Sequence, residues 1–366
     1  MFDTRLFWDR FISITVVFAF LFIFLDWILI RKILKKPSKQ SLITNLVVIG
    51  WFLVILVHIY STLGTFIFFQ TILDKMLGIS VLALATTGIV LIFKTSITTN
   101  FAQGMLATFG VYVSGIVSMR YAQSLGLTSP IAIAFIAMFA GAVVAFLMGV
   151  FIDVFILRKA KYITSVGKQM ITMGLVLVIS GIIPVIFGID FISAPRISTK
   201  IIPVEFLGFS FSTTEHAVIG MALTIIILVL LFSALRFTKW GLGVRATASN
   251  YIVAAMMGVN TKLITAFSWG IAGALGGVAA YLLAEGGNLT VGMMVSTQVN
   301  GFMASILGGF SSFLGPIVGA IMIPLLANLL FYFSPLWQNA IVYAVILLIV
   351  LAKPLGLFGK RIAKKV

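Results

Sequence analysis

The side chains that could do acid–base or metal chemistry in this 366-residue chain are few and scattered. The chain contains two histidines, nine acidic residues and no cysteine. His58 and His216 lie far apart in sequence and lack the short spacing of a metal-binding pair. Asp26 and Asp153 each lie five residues before an arginine, so each carboxylate can reach towards the basic end of its helix. We therefore expect no catalytic residue and no metal site.

Phosphate-binding glycine motifs are missing as well. The two Gly-Lys pairs, Gly167-Lys168 and Gly359-Lys360, are followed by Gln and Arg rather than by the Ser or Thr of a P-loop. Without that loop the chain has no recognisable means of holding the phosphates of ATP. We expect that it is not an enzyme, that it holds no cofactor of its own and that it does not hydrolyse ATP by itself.

Two short polar segments interrupt apolar stretches, one in each half of the chain. The first covers residues 94–104 and the second residues 296–302, and both are rich in hydroxyl and amide side chains. Paired polar interruptions in the two halves of a membrane protein are typical of a midplane site built from broken helices. We predict a substrate pathway near Asn100, Phe101, Gln103, Gly104, Gln298 and Asn300.

The elements that must position these residues are apolar helices. Hydrophobic residues make up 61% of the chain and charged residues 9%, whereas a soluble domain carries about 25% charge. Apolar stretches of spanning length fall at residues 11–30, 42–69, 76–93, 101–119, 130–157, 169–189, 217–235, 262–284, 296–310, 315–333 and 338–352. The sequence predicts an all-α polytopic membrane protein with about 10–11 transmembrane helices, broken or re-entrant near the pathway. The stretch 42–69 is long enough to break near Gly64.

Basic clusters at residues 31–39, 158–168, 236–262 and 353–365 flank these spans. With the N-terminus outside and eleven crossings, all four clusters face the cytoplasm, as the positive-inside rule requires. The net charge of +16 then marks orientation and contact with anionic lipid, and we expect no nucleic-acid partner. The predicted location is a bacterial cytoplasmic membrane. The longest outer loop, 189–216, is either a docking surface for an extracytoplasmic partner or an ordinary solvated loop.

Glycine-rich stretches indicate where the helices pack. Lipid gives helices no hydrophobic reason to associate, so close packing depends on small residues spaced by about one turn. Two stretches, 270–277 and 308–319, have this composition. We predict that helix packing depends on Gly273, Gly277, Gly308, Gly309, Gly315 and Gly319.

A short, soluble-looking segment at residues 236–260 separates two spans. Ser249 or Asn250 can cap a helix there, and Gly258 can supply the left-handed residue that ends it. Such a helix has about two turns and is too short to cross a bilayer core of about 30 Å. It could transmit force to a soluble cytoplasmic partner, or it could lie passively under the lipid headgroups.

Several of these motifs together resemble the permeases of high-affinity branched-chain amino-acid ABC importers. The run 100–104 is similar to the NFAHG signature of that family, and the run 241–260 to its cytoplasmic loop. Glycine-rich runs at 272–277, 306–310, 315–319 and 353–359 keep the order and spacing of the family. The resemblance covers roughly residues 78–359.

The resemblance implies a transporter with several partners. Two permease subunits, here this chain and a paralogue, form the path, two cytoplasmic ATPases bind ATP and Mg, and an extracytoplasmic binding protein delivers the solute. It implies a permease domain at 76–360, after an N-terminal extension at 1–75 with about two extra spans and before a basic tail at 361–366. Within it, segment 236–260 couples to the ATPase through Gly241, Gly243, Arg245, Ala246, Asn250, Ala254, Ala255 and Gly258.

Three departures from the family pattern bear on specificity. Gln103 replaces the usual histidine, Met105 stands where an acid is common, and Ser249-Asn250 replaces an acidic pair. Urea permeases share much of this motif set, so urea or another small polar solute is an alternative substrate. An ion-coupled carrier working alone would need an ionisable relay within the spans, and no acid is clearly placed at mid-span. A scaffold protein would leave the two polar breaks unexplained.

Overall fold

The structure is a computed structural model that describes residues 4–24, 37–121, 129–160 and 163–359. Asp26, most of the first basic cluster (residues 31–36), Lys161 and the tail 361–366 lie outside these described residues. Within the described ranges the chain forms thirteen α-helices and one β-hairpin.

The helices follow one another along the chain. In order they are α1 (Thr4–Phe24), α2 (Pro37–Leu63), α3 (Thr65–Ser96), α4 (Gln103–Ile116), α5 (Pro130–Phe151), α6 (Ser165–Phe187), α7 (Glu215–Phe237), α8 (Lys239–Ser249), α9 (Tyr251–Met256), α10 (Thr261–Ala284), α11 (Val295–Gly308), α12 (Gly315–Phe331) and α13 (Gln338–Ala352). The β-hairpin lies between α6 and α7. Single π-helical turns, Val117–Tyr121 and Ile152–Leu157, extend α4 and α5.

Six helices in the described part of the chain are long and apolar enough to cross a membrane, and α12 and most of α13 are shorter apolar helices. The prediction of an all-α polytopic membrane protein is confirmed. Two of the predicted spans, 101–119 and 296–310, correspond to α4 with its π-helical turn, which ends at Tyr121, and to α11, which has 14 residues. At 1.5 Å per residue α11 is about 21 Å long, so it crosses only part of a bilayer core.

The boundaries of the second and third predicted spans differ from the structure. The helix breaks at Gly64, whose φ of 80° is accessible to a residue without a Cβ. Residues 65–75 then belong to α3, which has 32 residues and a length of about 48 Å. Its first turns therefore extend beyond a bilayer core, where Gln70 exchanges two hydrogen bonds with the backbone of Ser212.

The loop 189–216 contains an antiparallel hairpin that the sequence analysis did not predict. Strands β1 (Ile201–Phe206) and β2 (Phe209–Thr214) are joined by Leu207 and Gly208, both with positive φ. Two such residues make the tight turn that matches the twist of paired strands. The signal was present as alternating apolar residues around a Leu-Gly pair, but the surrounding prolines and short length obscured it. We call this side of the molecule the hairpin side, and the charge pattern predicts that it is the outer side.

Helices α3 and α10 form the centre of the molecule. Their spanning windows are 83% and 78% buried, whereas that of α6 is 17% buried. Glycines permit the close approach around α10, because a Cβ at Gly273 would collide with the Ala145 carbonyl of α5. The other predicted packing glycines also lie at tight contacts: Gly277 against α5, Gly308 against Gly315, Gly319 against Ala304, and Gly309 against the segment after α13.

Candidate functional site

The first polar break re-enters the helical bundle. Ile97 ends α3 in the left-handed conformation, and its carbonyl accepts a hydrogen bond from Ser165 Oγ at the start of α6 (2.7 Å). Four residues later, the backbone N–H of Phe101 donates to Thr172 Oγ1, two turns further along α6 (3.1 Å). The break therefore rises about 10 Å along α6 before α4 begins.

The start of α4 is a closed polar contact, which we call the buried joint (Asn100–Gly104). Asn100 Nδ2 donates to Gln103 Oε1 at 3.2 Å, and Gln103 Nε2 donates to the Ala272 carbonyl of α10 at 2.6 Å. Asn100 Oδ1 accepts from the Ala102 N–H. Asn100 and Gln103 are 0% and 2% exposed. The side-chain amides of the buried joint therefore have hydrogen-bond partners within the protein. One of these bonds connects α4 to the middle of α10.

The second polar break meets the first. Helix α11 begins beside the buried joint, where Gln298 Nε2 donates to the Asn100 carbonyl at 3.2 Å. The rings of Phe101 and Phe302 lie 5.1 Å apart. Helix α11 ends at Gly308, on the side opposite the hairpin, and α4 leads towards the hairpin side, where Tyr112 contacts Leu289. Two half-helices thus run in opposite directions from a common start, as the prediction of broken helices required.

The two helix starts bring backbone N–H groups together. Within the described residues, no side chain caps α4 at Ala102 or α11 at Met294. The first N–H groups of a helix have no partner inside it and carry a partial positive charge. In broken-helix transporters such ends face anionic groups of the substrate. The arrangement can therefore favour a carboxylate or a carbonyl oxygen near the first turns of α11.

A cavity of 240 Å³ adjoins α11, α12, the middle of α3 and the start of α13, and we call it the outer cavity. Its lining residues are Lys75, Gly78, Val81, Leu82, Leu283, Thr297, Asn300, Pro324, Ala327, Asn328, Gln338 and Asn339. Lys75 is the one cation among them, and they include no acid. Asn300 Oδ1 accepts from Tyr343 Oη at 2.7 Å. Thr297 is only 8% exposed, and its hydroxyl has no hydrogen bond within the described ranges.

The structure places the six predicted pathway residues in three different environments. Asn100, Phe101, Gln103 and Gly104 belong to the buried joint, Gln298 bridges it to α11, and Asn300 reaches the outer cavity. Sequence reasoning missed the other polar lining residues, Lys75, Thr297, Asn328, Gln338 and Asn339. Asn328, a single amide within an apolar span, could have been predicted from the sequence to line a polar site. Thr297, Gln338 and Asn339 lie near the starts of helices, where polar residues are common and carry little information.

The segment 236–260 contains two helices rather than one. Thr238 caps α8 by accepting from the Gly241 N–H at 3.1 Å. Gly241 and Gly243 lie inside α8. They are needed for packing, because a Cβ at Gly241 would collide with the carbonyls that end α7, and one at Gly243 would collide with Ile264. Tertiary contact therefore overrides the usual helix-breaking tendency of glycine.

The second helix of this segment, α9, has the predicted signals at both ends. Asn250 Oδ1 accepts from the Ile252 and Val253 N–H groups at 3.0 and 3.1 Å, and Gly258 follows the helix with φ 83°. Ala254 is buried, whereas Ala255 is exposed, and Met256 and Met257 are 82% and 79% exposed. Helix α9 therefore presents an apolar surface away from the rest of the chain.

Arg245 fastens this segment to the end of α7. Its Nη1 donates to the carbonyls of Leu235 and Arg236 at 2.9 and 3.2 Å. A cation at the C-terminal end of a helix is favourable because the last carbonyls lack partners inside the helix. Arg245 thus binds the backbone carbonyls that end α7. Ala246, the next residue, is partly buried in α8.

Comparison with known proteins agrees with these features. The family described as branched-chain amino acid transport system / permease component matches residues 71–351. No solved structure matches the chain.

Curated permeases from bacteria and an archaeon are similar to this chain. The high-affinity branched-chain amino acid transport system permease protein LivH of Escherichia coli is 27% identical over 43% of this chain and 52% of that protein. The probable LivH of Methanocaldococcus jannaschii is 27% identical over 69% and 78%, respectively. For BraD of Pseudomonas aeruginosa the identity is 22% over 82% and 98%. The chain spans about half the length of the enterobacterial relatives that it matches. With more than half of its residues matched, this chain belongs to the family of branched-chain amino acid transport permease components.

Proposed function

We propose that this chain is a permease subunit of an ABC importer in a bacterial cytoplasmic membrane. It forms part of the path for branched-chain or related hydrophobic amino acids. An extracytoplasmic solute-binding protein delivers the solute, a paralogous permease completes the path, and two separate ATPase subunits bind ATP and Mg and supply the energy. The observation that carries the proposal is the exposed apolar face of α9.

The chemistry of that face suits a protein groove. A short helix with exposed methionines offers flexible, polarizable contacts, which is how many helices bind in apolar grooves. Met256, Met257 and Ile252 are all largely exposed. Helix α9 has six residues, so it is too short to span lipid itself. A cytoplasmic ATPase is the partner that would cover it.

The attachment of α9 is suited to transmitting movement. Arg245 holds α8 to α7, and Asn260 caps the start of α10 by accepting from the Leu263 N–H at 3.1 Å. Ala272, further along α10, accepts the hydrogen bond of Gln103. A displacement of α9 would therefore reach the buried joint through one rigid helix, and from there the start of α11.

A second candidate substrate is urea or another small polar solute. The amide-rich lining of the outer cavity favours it, since Asn300, Asn328, Gln338 and Asn339 offer both donors and acceptors. Apolar side chains in the same cavity, Val81, Leu82 and Leu283, favour a solute with an aliphatic part. Uptake measured with each solute distinguishes the two.

The direct test is transport by the reconstituted complex. Proteoliposomes holding this chain, its paralogue, the ATPases and the binding protein should take up leucine only when ATP is present. ATP-dependent uptake of urea without uptake of leucine would favour the second candidate. Uptake of leucine driven by a proton or sodium gradient, without ATP, would contradict the importer assignment.

The docking role of α9 has its own test. Met256→Glu places a charge on the exposed face without disturbing the packing of the chain, so the protein level should be unchanged. We expect co-purification of the ATPase and leucine uptake both to fall at least tenfold. Leu207→Glu, at another exposed apolar residue but on the hairpin side, should leave ATPase co-purification unchanged. If the ATPase co-purified equally well with Met256→Glu and Leu207→Glu, α9 would not be the docking site.

A further inference from the structure

A second cavity, of 640 Å³, lies on the side opposite the hairpin, and we call it the basic cavity. It is enclosed by the ends of α3 and α5 and by the starts of α6, α9 and α10. Its lining residues are Thr95, Ser96, Ile97, Thr98, Asp153, Val154, Leu157, Arg158, Ala160, Lys168, Tyr251, Lys262 and Thr265. The charge pattern predicts that it faces the cytoplasm.

The cavity carries an excess of positive charge. Asp153 is its one acid, and the carboxylate is already engaged by Arg158, whose Nη2 lies 2.7 Å from Asp153 Oδ2. Arg158 also donates to the Lys262 carbonyl, and Thr265 Oγ1 donates to Asp153 at 3.3 Å. The ammonium groups of Lys168 and Lys262 form no hydrogen bond or ion pair with any residue that the structure describes. Two cations are therefore left for an external anion.

Two walls of the basic cavity belong to peripheral helices. Helices α5 and α6 are peripheral, with spanning windows only 28% and 17% buried. On the turns that border the cavity, Phe155, Val166 and Met170 are exposed apolar side chains. An acyl chain can lie against these side chains while a headgroup reaches the lysines. A soluble anion would need the lysines but not this apolar border.

We propose that the basic cavity binds the phosphate of an anionic phospholipid from the cytoplasmic leaflet. Lys168 and Lys262 contact the phosphate. Tyr251, the first residue of α9, lines the same cavity. A bound headgroup therefore supports the start of α9 and stabilises its position relative to α10.

The test measures lipid binding by the full-length chain in detergent. Native mass spectrometry with added phosphatidylglycerol or phosphatidylcholine gives the dissociation constant of each lipid. We expect selective binding of phosphatidylglycerol, and a loss of about tenfold or more in Lys168→Gln/Lys262→Gln, because these two lysines contact the phosphate inside the cavity. The control Lys159→Gln/Lys239→Gln removes the same charge from exposed lysines on the same side that do not line the cavity. It should lose less than twofold.

A titration with inorganic phosphate shows whether the cavity binds a lipid phosphate or a free phosphate ion. Calorimetric titration without lipid should give no binding at millimolar phosphate, because the apolar border contributes nothing to a free ion. Phosphate binding that depends on Lys168 and Lys262, without selective phosphatidylglycerol binding, would overturn the lipid assignment. Equal lipid affinity in the two double variants would overturn the site itself. These measurements do not depend on transport, so their outcome is separate from that of the proposed function.

Discussion

The two half-helices begin side by side, yet their first turns have different environments. At the start of α4, Asn100 and Gln103 are fully buried and their amides are paired within the protein. At the start of α11, Thr297 and Asn300 line the outer cavity, and the Thr297 hydroxyl has no partner in the described part of the chain. The polar residues of the first break thus hold helices together, whereas those of the second break line a cavity.

The difference follows from what surrounds each break. A buried amide costs about 1–3 kcal/mol when it lacks a partner, so the joint is stable only because each group has one. Gly88 and Gly276 make the room for this, because a Cβ at either position would lie within 3.2 Å of Gln103 Nε2. The first turns of α11 instead face the outer cavity. A polar group there can bind water when the cavity is empty and solute when it is filled.

Gln103→Leu should produce the largest effect. Leucine fills a similar volume but leaves Asn100 Nδ2 without its partner and removes the side-chain hydrogen bond to the Ala272 carbonyl, which together cost about 2–4 kcal/mol. We expect a lower protein level and a clearly lower melting temperature in detergent. Gln103→His, which can still donate to Ala272, should lose much less. Equal melting temperatures for wild type and Gln103→Leu would show that the joint is not structural.

Gln298→Ala tests the connection between the two breaks and should have an intermediate effect. It removes one partly buried hydrogen bond to the Asn100 carbonyl, worth about 0.5–1.5 kcal/mol. We expect a small fall in melting temperature together with reduced uptake by the reconstituted complex. A stability loss as large as that of Gln103→Leu would mean that the breaks form one structural unit, and the comparison between them would fail.

Thr297→Val should have the smallest effect on stability and a selective effect on transport. Valine has nearly the same shape, and the lost hydroxyl makes no hydrogen bond among the described residues, so the melting temperature should change little. If the hydroxyl contacts the solute, KM for uptake should rise several-fold while the protein level stays normal. The matched change Thr108→Val, at a buried hydroxyl of α4 away from the cavity, should leave KM unchanged. If KM were unchanged in both variants, the Thr297 hydroxyl would not contact the solute.

Much of the architecture was predictable from local sequence. Composition indicated a membrane protein, because no soluble fold tolerates so little charge over such a length. The caps of α9 were predictable, since Asn250 and Gly258 act on backbone groups only a few residues away. Both broken helices were predicted for the same reason: polar residues within an apolar stretch disrupt that stretch locally.

Only the tertiary structure decided which break is buried and which lines a cavity. The hydrogen bond from Gln103 to Ala272 joins residues 169 positions apart, and that between Gln298 and Asn100 joins residues 198 apart. The outer cavity likewise combines Lys75 with Thr297 and Asn339. Glycines 241 and 243 became helical because α8 packs on α7 and Ile264. The sequence by itself determined the membrane class, the caps and the breaks, because these depend on neighbours along the chain. Burial, cavity lining and hydrogen-bond partners depend on which distant helices meet, so the packing of the whole bundle determined them.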